Sequence, residues 1–417
     1  MHSNPKKSFN NRVVACRGAV QLASAIAAMR TVSEATTGAV RWKNHLVIHN
    51  LSAPEGQAEE FAQCIRGLAE RAEEWESIHY VSLPEIRELQ QRVRAPKGLN
   101  FAVEVLGIAG CDELYTGQDD QFLTTLLRTN LSDARHVCFG DGIGLNFTNA
   151  YFCPKENPCV ANRRPFLKRL CRRLKSNFKG MLTKATTQAA QAPPREFDIH
   201  CLLLKNLFDQ QLSDVLPIDG KVFIELFHQF GTDFPKKSPE VHTQLSALQT
   251  RSGKNAILLT SNFAETGRMS LEGEIDGYLQ LLRRMPMGDD VALIIKPHPR
   301  DSYEKIRKLE QEASRYYGQI VALMDPWNFY LPFESLYARY FANTARPTSV
   351  AAVSSATISL EYLYGQPCHL GFGQEIVAKS FVPLWQPLRH LHEQDLTAIV
   401  HDIRKTRPQF SLKATAA

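Results

Sequence analysis

Val291-Ala292-Leu293-Ile294-Ile295-Lys296-Pro297-His298-Pro299-Arg300 reads as a buried strand that stops at a rigid turn. Its apolar run is continuous rather than alternating, the pattern of a parallel sheet covered by helices on both faces. The two prolines fix φ and remove backbone donors, so the ladder ends there and the imidazole of His298 sits on a stiff loop flanked by Lys296 and Arg300. A counterpart lies in the first half, where the strand-like residues 135–139 run into Gly140-Asp141-Gly142-Ile143-Gly144. Open α/β sheets bind ligands at the carboxyl ends of their strands, so a carboxylate and a histidine placed at two such ends can face one cleft from two sides.

The same grammar extends outward from both stretches. Residues 12–16, 45–51, 79–83, 112–116, 136–140 and 197–204 read as strands, and charged amphipathic stretches at 56–75 and 83–93 read as the helices between them. The second half repeats the style at 255–261, 290–296, 319–325, 349–354 and 367–373. The expected fold class is α/β, with two Rossmann-like domains and a cleft between them. We place the first domain at 1–235, the second at 255–380, and a C-terminal helix and tail at 381–417. The boundary falls near 231–254, where Gly231, Pro235 and Pro239 punctuate a charged run.

A chain of 417 residues is long enough for two cores. Lys plus Arg number 49 against 43 Asp plus Glu, a mild basic excess that gives no argument for a nucleic-acid partner. The nine cysteines are scattered without zinc-ligand spacing, so reduced thiols, a cytoplasmic setting and no metal are expected. No apolar run approaches the ~18 residues of a membrane span. Residues 19–29 are interrupted by Gln21 and Ser24 and read as a first helix rather than a signal peptide.

Asp141 lies between glycines that let the backbone turn sharply, so its carboxylate can project to take a proton from an attacking hydroxyl; an ordinary Asp turn is the other reading. Gly140, Gly142 and Gly144 would form that loop. His298 between prolines can meet a phosphate, with a structural histidine as its alternative. In Ser354-Ser355-Ala356-Thr357 an apolar run passes into helical spacing, so Ser354 and Ser355 can hold an anion at a helix start or act as caps alone. Glu334 can bridge ribose hydroxyls or begin a helix, and Thr260 and Asn262, at the end of the second domain's first strand, can contact a base or sugar or belong to a loop.

Residues 163–184 hold nine Lys or Arg and no acid, with Phe166, Leu170, Leu174 and Phe178 recurring at i+4. Arg163, Arg164, Lys168, Arg169, Arg172, Arg173 and Lys175 would give such a helix a basic face for an anionic membrane or an acidic acceptor; a solvated helix packed on the first domain is the alternative.

Taken together, Gly-Asp-Gly in the first half, Lys-Pro-His-Pro in the second and Ser-Ser before a helix resemble the bacterial sialyltransferases, above all the polysialyltransferase-like group. That resemblance implies the GT-B architecture and inverting transfer from CMP-sialic acid, or another CMP-activated nonulosonate, to a surface glycan or glycolipid without a metal or other cofactor. It implies Asp141 as general base, His298 at the donor phosphate, Ser354 and Ser355 as phosphate ligands and Glu334 as a ribose contact, with Lys296, Pro299, Thr260 and Asn262 in the donor site. One departure stands out: Gly140 occupies the first of two positions that are acidic in the family pattern. The location implied is cytoplasmic, with peripheral attachment to the inner face of the membrane. Two other readings stay open, a CDP-glycerol-type polyol-phosphate transferase and a degenerate nucleotide- or glycan-binding module.

Overall fold

The computed structural model describes residues 10–36, 40–51, 53, 56–93, 100–108, 110–118, 121–144, 196–204, 215–251 and 253–406. β1 (Asn10–Cys16), β2 (Trp42–His49), β3 (Ser77–Val81), β4 (Glu113–Thr116), β5 (Arg135–Cys138), β6 (Ile199–Leu202) and β7 (Val215–Pro217) form one sheet in the order β3-β2-β1-β4-β5-β6-β7. β8 (Lys254–Leu259), β9 (Gly288–Lys296), β10 (Tyr317–Ala322), β11 (Thr348–Ala352) and β12 (Cys368–Leu370) form the second, in the order β10-β9-β8-β11-β12. Every pairing is parallel. The fold is α/β, two parallel sheets with helices.

The strand order sets where a ligand can enter. In the first sheet the chain steps from β1 to β2 and β3, then returns to β4 on the other side of β1. In the second it steps from β8 to β9 and β10, then returns to β11 on the other side of β8. Connections diverge at these two reversals and leave a crevice at the carboxyl ends of the strands. Arg17 follows β1, and Thr260 and Val353 follow β8 and β11.

Sequence reading assigned each half its own core, and the packing is more continuous than that. One apolar cluster runs from Val14, Leu46 and Ile48 through Phe227 and Phe230 to Leu336, Ile257 and Ala352. Separate clusters cover the outer faces, around Val13, Val47 and Leu114 in one half and Leu258, Leu293 and Tyr278 in the other. Phe61 stacks on Tyr330 with ring centroids 4.4 Å apart, and the Tyr330 hydroxyl donates to Gln57 at 2.8 Å, so the two halves are joined by aromatic as well as aliphatic contact.

The stretch read as a breaker-rich boundary is helical. Helices Phe234–Lys237 and Pro239–Thr250 occupy most of it, with Pro235 and Pro239 in first turns, where a missing N–H costs nothing. The long helix Gln386–Thr406 packs on Ala356–Ser359, on the π-helical turn Leu360–Tyr364, on β12 and on Gln374–Ser380, all elements of the second half.

Candidate active site

The loop after β5 is shaped by three left-handed glycines, Gly140 (φ 76°), Gly142 (φ 54°) and Gly144 (φ 65°). Gly144 also needs its lack of a side chain: its carbonyl accepts from Leu203 N–H at 3.0 Å, and a Cβ would sit 3.0 Å from that nitrogen. Half-buried Asp141 is aimed by its neighbours, because Oδ1 accepts from Gln21 Nε2 at 3.0 Å and from Gly142 N–H at 2.9 Å. Gln21 belongs to the first turn of helix Ala19–Ala35, and Ser24 on the same helix donates to the Gly142 carbonyl at 2.6 Å. The turn after β1 and the loop after β5 therefore hold each other in register. Asp141 Oδ2 has no hydrogen-bond partner among the described residues.

In the second half, the backbone N–H of His298 donates to Asp301 Oδ2 at 2.8 Å and to Thr260 Oγ1 at 3.1 Å. Thr260 is buried, its hydroxyl between the Lys296 carbonyl and the Asp301 carboxylate, so it ties the ends of β8 and β9 together. His298 Nδ1 accepts from the Arg300 N–H at 3.1 Å, which leaves the ring hydrogen on Nε2. Burial first, then the cations Arg300, Lys296 and Lys305, lowers the imidazole pKa to about 3. The ring is neutral at pH 7, and its Nε2–H is a hydrogen-bond donor rather than a ready acid.

Beneath this loop Lys305 is completely buried. Its ammonium meets Asp301 Oδ1 at 2.7 Å, the Ser261 carbonyl at 2.6 Å, Glu265 Oε2 at 2.8 Å and Glu274 Oε1 at 3.2 Å. Glu274 in turn accepts from Ala264 N–H at 2.7 Å and from the Tyr278 hydroxyl at 2.8 Å. Burial raises the pKa of Asp301 to about 7 and raises that of Glu274, since three carboxylates share one enclosed ammonium. This network fixes the loops after β8 and β9 as one platform.

Lys296 and Glu334 are both buried and bonded within the protein. Lys296 is buried, its ammonium donating to the carbonyls of Pro297 at 2.7 Å and Phe329 at 3.2 Å, and burial lowers its pKa to about 8. Glu334, on helix Phe333–Tyr340, is also buried and accepts from Ser359 Oγ at 2.5 Å, with its carboxyl pKa raised by burial. Both brace the interior in this conformation. Pro299 is half-buried on the His298 loop, and Asn262 accepts through its carbonyl from Thr266 N–H at 3.1 Å, shaping the turn after β8.

Ser354 and Ser355 lead from β11 into helix Ala356–Ser359. The Ser354 carbonyl accepts from Thr357 Oγ1 at 3.0 Å, while the Ser355 side chain makes no capping bond to the helix. A Cβ built on Gly142 would lie 3.8 Å from Ser355 Oγ. The glycine loop of the first half and the serine pair of the second therefore meet across the cleft. The proximity of Arg17 lowers the pKa of Arg300, and that of Arg300 lowers the pKa of Arg268, in each case after the larger effect of burial.

The alpha-2,8-polysialyltransferase family profile matches residues 119–368, a span that holds Asp141, His298, Ser354 and Ser355. This chain belongs to that family. A search of curated proteins finds no match to the polysialyltransferase-family chain. Among solved structures it is similar to a UDP-GlcNAc 2-epimerase from Neisseria meningitidis bound to UDP-GlcNAc, at 13% identity over 96% of this chain and 100% of the other, TM-score 0.47. A putative UDP-N-acetylglucosamine 2-epimerase from Listeria monocytogenes follows at 11% identity, 96% and 99% coverage and TM-score 0.45. The GT-B domain of a sialyltransferase from Photobacterium damselae matches at 11% identity, 94% and 97% coverage and TM-score 0.41.

Sequence reading of this polysialyltransferase-family chain passed over Gln21, Arg17, Arg268, Asp301, Lys305 and Arg389. Asp301 and Lys305 carried a signal, an acid and a base four residues apart just after the His298 loop; the others look like ordinary helix or loop residues. The basic positions Arg163, Arg164, Lys168, Arg169, Arg172, Arg173 and Lys175 lie outside the described residues. Among the described residues no helix is long and apolar enough to cross a membrane, and no three His, Cys, Asp or Glu side chains gather as a metal site.

Proposed function

We propose that this family member is an inverting sialyltransferase that moves sialic acid, or a related nonulosonate, from CMP-sialic acid to a hydroxyl of a glycan or glycolipid acceptor. Asp141 takes the proton of the acceptor hydroxyl as its oxygen bonds to the anomeric carbon. The bond from that carbon to the phosphate oxygen breaks, and CMP departs with the electron pair. The His298 Nε2–H, the hydroxyls of Ser354 and Ser355, and the field of Arg17 and Arg300 stabilise the phosphate charge in a site that excludes much of the water. A single phosphate is met by protein donors and cations alone, so the reaction is written without a metal. The basic stretch 163–184 is assigned to an anionic membrane face or to the acidic acceptor.

The observation that supports this reading is the approach of Gly142, next to Asp141, to the Ser355 hydroxyl. Purified protein supplied separately with CMP-sialic acid and CDP-glycerol tests it. CMP release from the first compound alone supports the sugar transfer; release from CDP-glycerol alone assigns a polyol-phosphate transferase, and turnover of neither leaves a binding module.

A further inference from the structure

Where the second sheet reverses direction, between the carboxyl ends of β8 and β11, lies a cavity of about 110 Å³. Ser354 forms one edge. Arg268, Arg389 and His392 form the rest of its charged or titratable wall, with Trp385 and Phe381 beside them, and among the described residues no acidic side chain lines it. Arg389 is 5% exposed; its Nε donates to Glu393 Oε1 at 2.7 Å, while Nη2 is buried without a partner among the described residues. Arg268 lies over the Trp385 ring at 4.4 Å, and its Nε is likewise buried without a partner among the described residues.

Glu393, the nearest carboxylate to Arg389, is already engaged by the N–H groups of Phe372 at 2.9 Å and Gly373 at 3.0 Å. Two guanidinium groups from separate elements thus reach one small space, each with an N–H that has no acceptor. Burial and the proximity of both arginines also hold His392 neutral. A carboxylate has lone pairs enough to accept from both guanidiniums, and an ionised acceptor makes the stronger bonds.

We infer that this cavity binds the carboxylate of the donor sugar, so that Arg268 and Arg389 select a sugar acid over a neutral sugar. The inference rests on the donor reading given above. In a CMP-activated nonulosonate the anomeric carbon carries both the carboxylate and the oxygen that leaves with phosphate. A carboxylate site must therefore adjoin the phosphate site, and Ser354 is the shared wall. A neutral sugar in the same place would leave both guanidinium N–H groups buried and unmatched.

The test compares CMP with the non-transferable 3-fluoro analogue of CMP-N-acetylneuraminate, by calorimetric titration of the full chain. Wild type is expected to bind the analogue at least about tenfold more tightly than CMP, the scale of a charge-assisted hydrogen bond. Arg268→Gln should lose most of that advantage while keeping CMP affinity within about twofold of wild type. The carboxamide form of the analogue should bind wild-type protein about tenfold more weakly than the acid, a comparison that needs no substitution and no assumption about folding. Equal binding of acid and carboxamide, or an Arg268→Gln protein that weakens CMP and analogue alike, overturns the carboxylate site and leaves the donor reading standing. Binding of neither CMP nor the analogue to wild type overturns both.

Discussion

Asp301 holds His298 by the backbone: its Oδ2 accepts the His298 N–H at 2.8 Å while its Oδ1 meets the Lys305 ammonium at 2.7 Å. One carboxylate thus links the loop that carries the imidazole to the buried platform below it. Asp301→Ala should destabilise the protein by about 3 kcal/mol, the low end for breaking a buried ion pair. Asp301→Asn should cost less, because its amide oxygen still accepts from His298. Urea unfolding of the two variants checks this, and equal losses would show that the hydrogen bond to His298 contributes nothing.

Asp141 is held by Gln21 and Gly142 through one oxygen, and the proposed mechanism gives the other to the acceptor. Asp141→Asn preserves the shape and most of the hydrogen bonding and removes the base. Transfer should fall by at least about a hundredfold with the melting temperature nearly unchanged. A near wild-type rate would take Asp141 out of the mechanism and give weight to the glycine at position 140.

Much of this arrangement is legible in the sequence because strand ends announce themselves. Apolar runs stop at Gly140 and Pro297, and the structure ends β5 at Cys138 and β9 at Lys296. β7 was missed because Val215–Pro217 is three residues long and carries no periodicity. The burial of Lys296 against interior carbonyls and of Glu334 against Ser359 was not legible, since sequence alone does not show which way a charge beside a strand end turns. Arg268 and Arg389 were illegible for the opposite reason. They stand 121 residues apart and meet only through the packing of helix Gln386–Thr406 on the second sheet.

Acid should weaken the fold through its enclosed histidines. Burial lowers His49, His298 and His392 to about 3, while the unfolded chain takes up these protons near the ordinary histidine value of about 6.5. Between those limits the unfolded state binds more protons, so stability falls as pH drops from about 6.5 toward 3. Asp301, raised to about 7, acts in the opposite sense between about 4 and 7, because there the folded state is the one that holds the extra proton. His49 is the cleanest probe, fully enclosed at the end of β2, where burial first and the nearby Arg17 second lower its pKa. The stability of wild type relative to His49→Gln should decline from pH 7 to pH 4, and a constant difference in chemical unfolding would contradict the assignment.

The donor site gives the last prediction. If the His298 Nε2–H, Ser354 and Ser355 receive the phosphate of CMP, then CMP should raise the melting temperature by binding the folded state alone. His298→Ala should remove most of that rise, because the loop would keep its bonds to Asp301 and Thr260, which run through the backbone, and lose only the imidazole. Chelation with EDTA should leave the shift unchanged, since Arg17 and Arg300 already supply positive charge across the cleft. UMP is the control for the base, as polar groups matched to cytosine are left unpaired by uracil. Equal stabilisation by CMP, UMP and inorganic phosphate would reduce the site to a general anion cradle. The same CMP shift in His298→Ala would move the phosphate away from the end of β9, and with it the role given to the histidine.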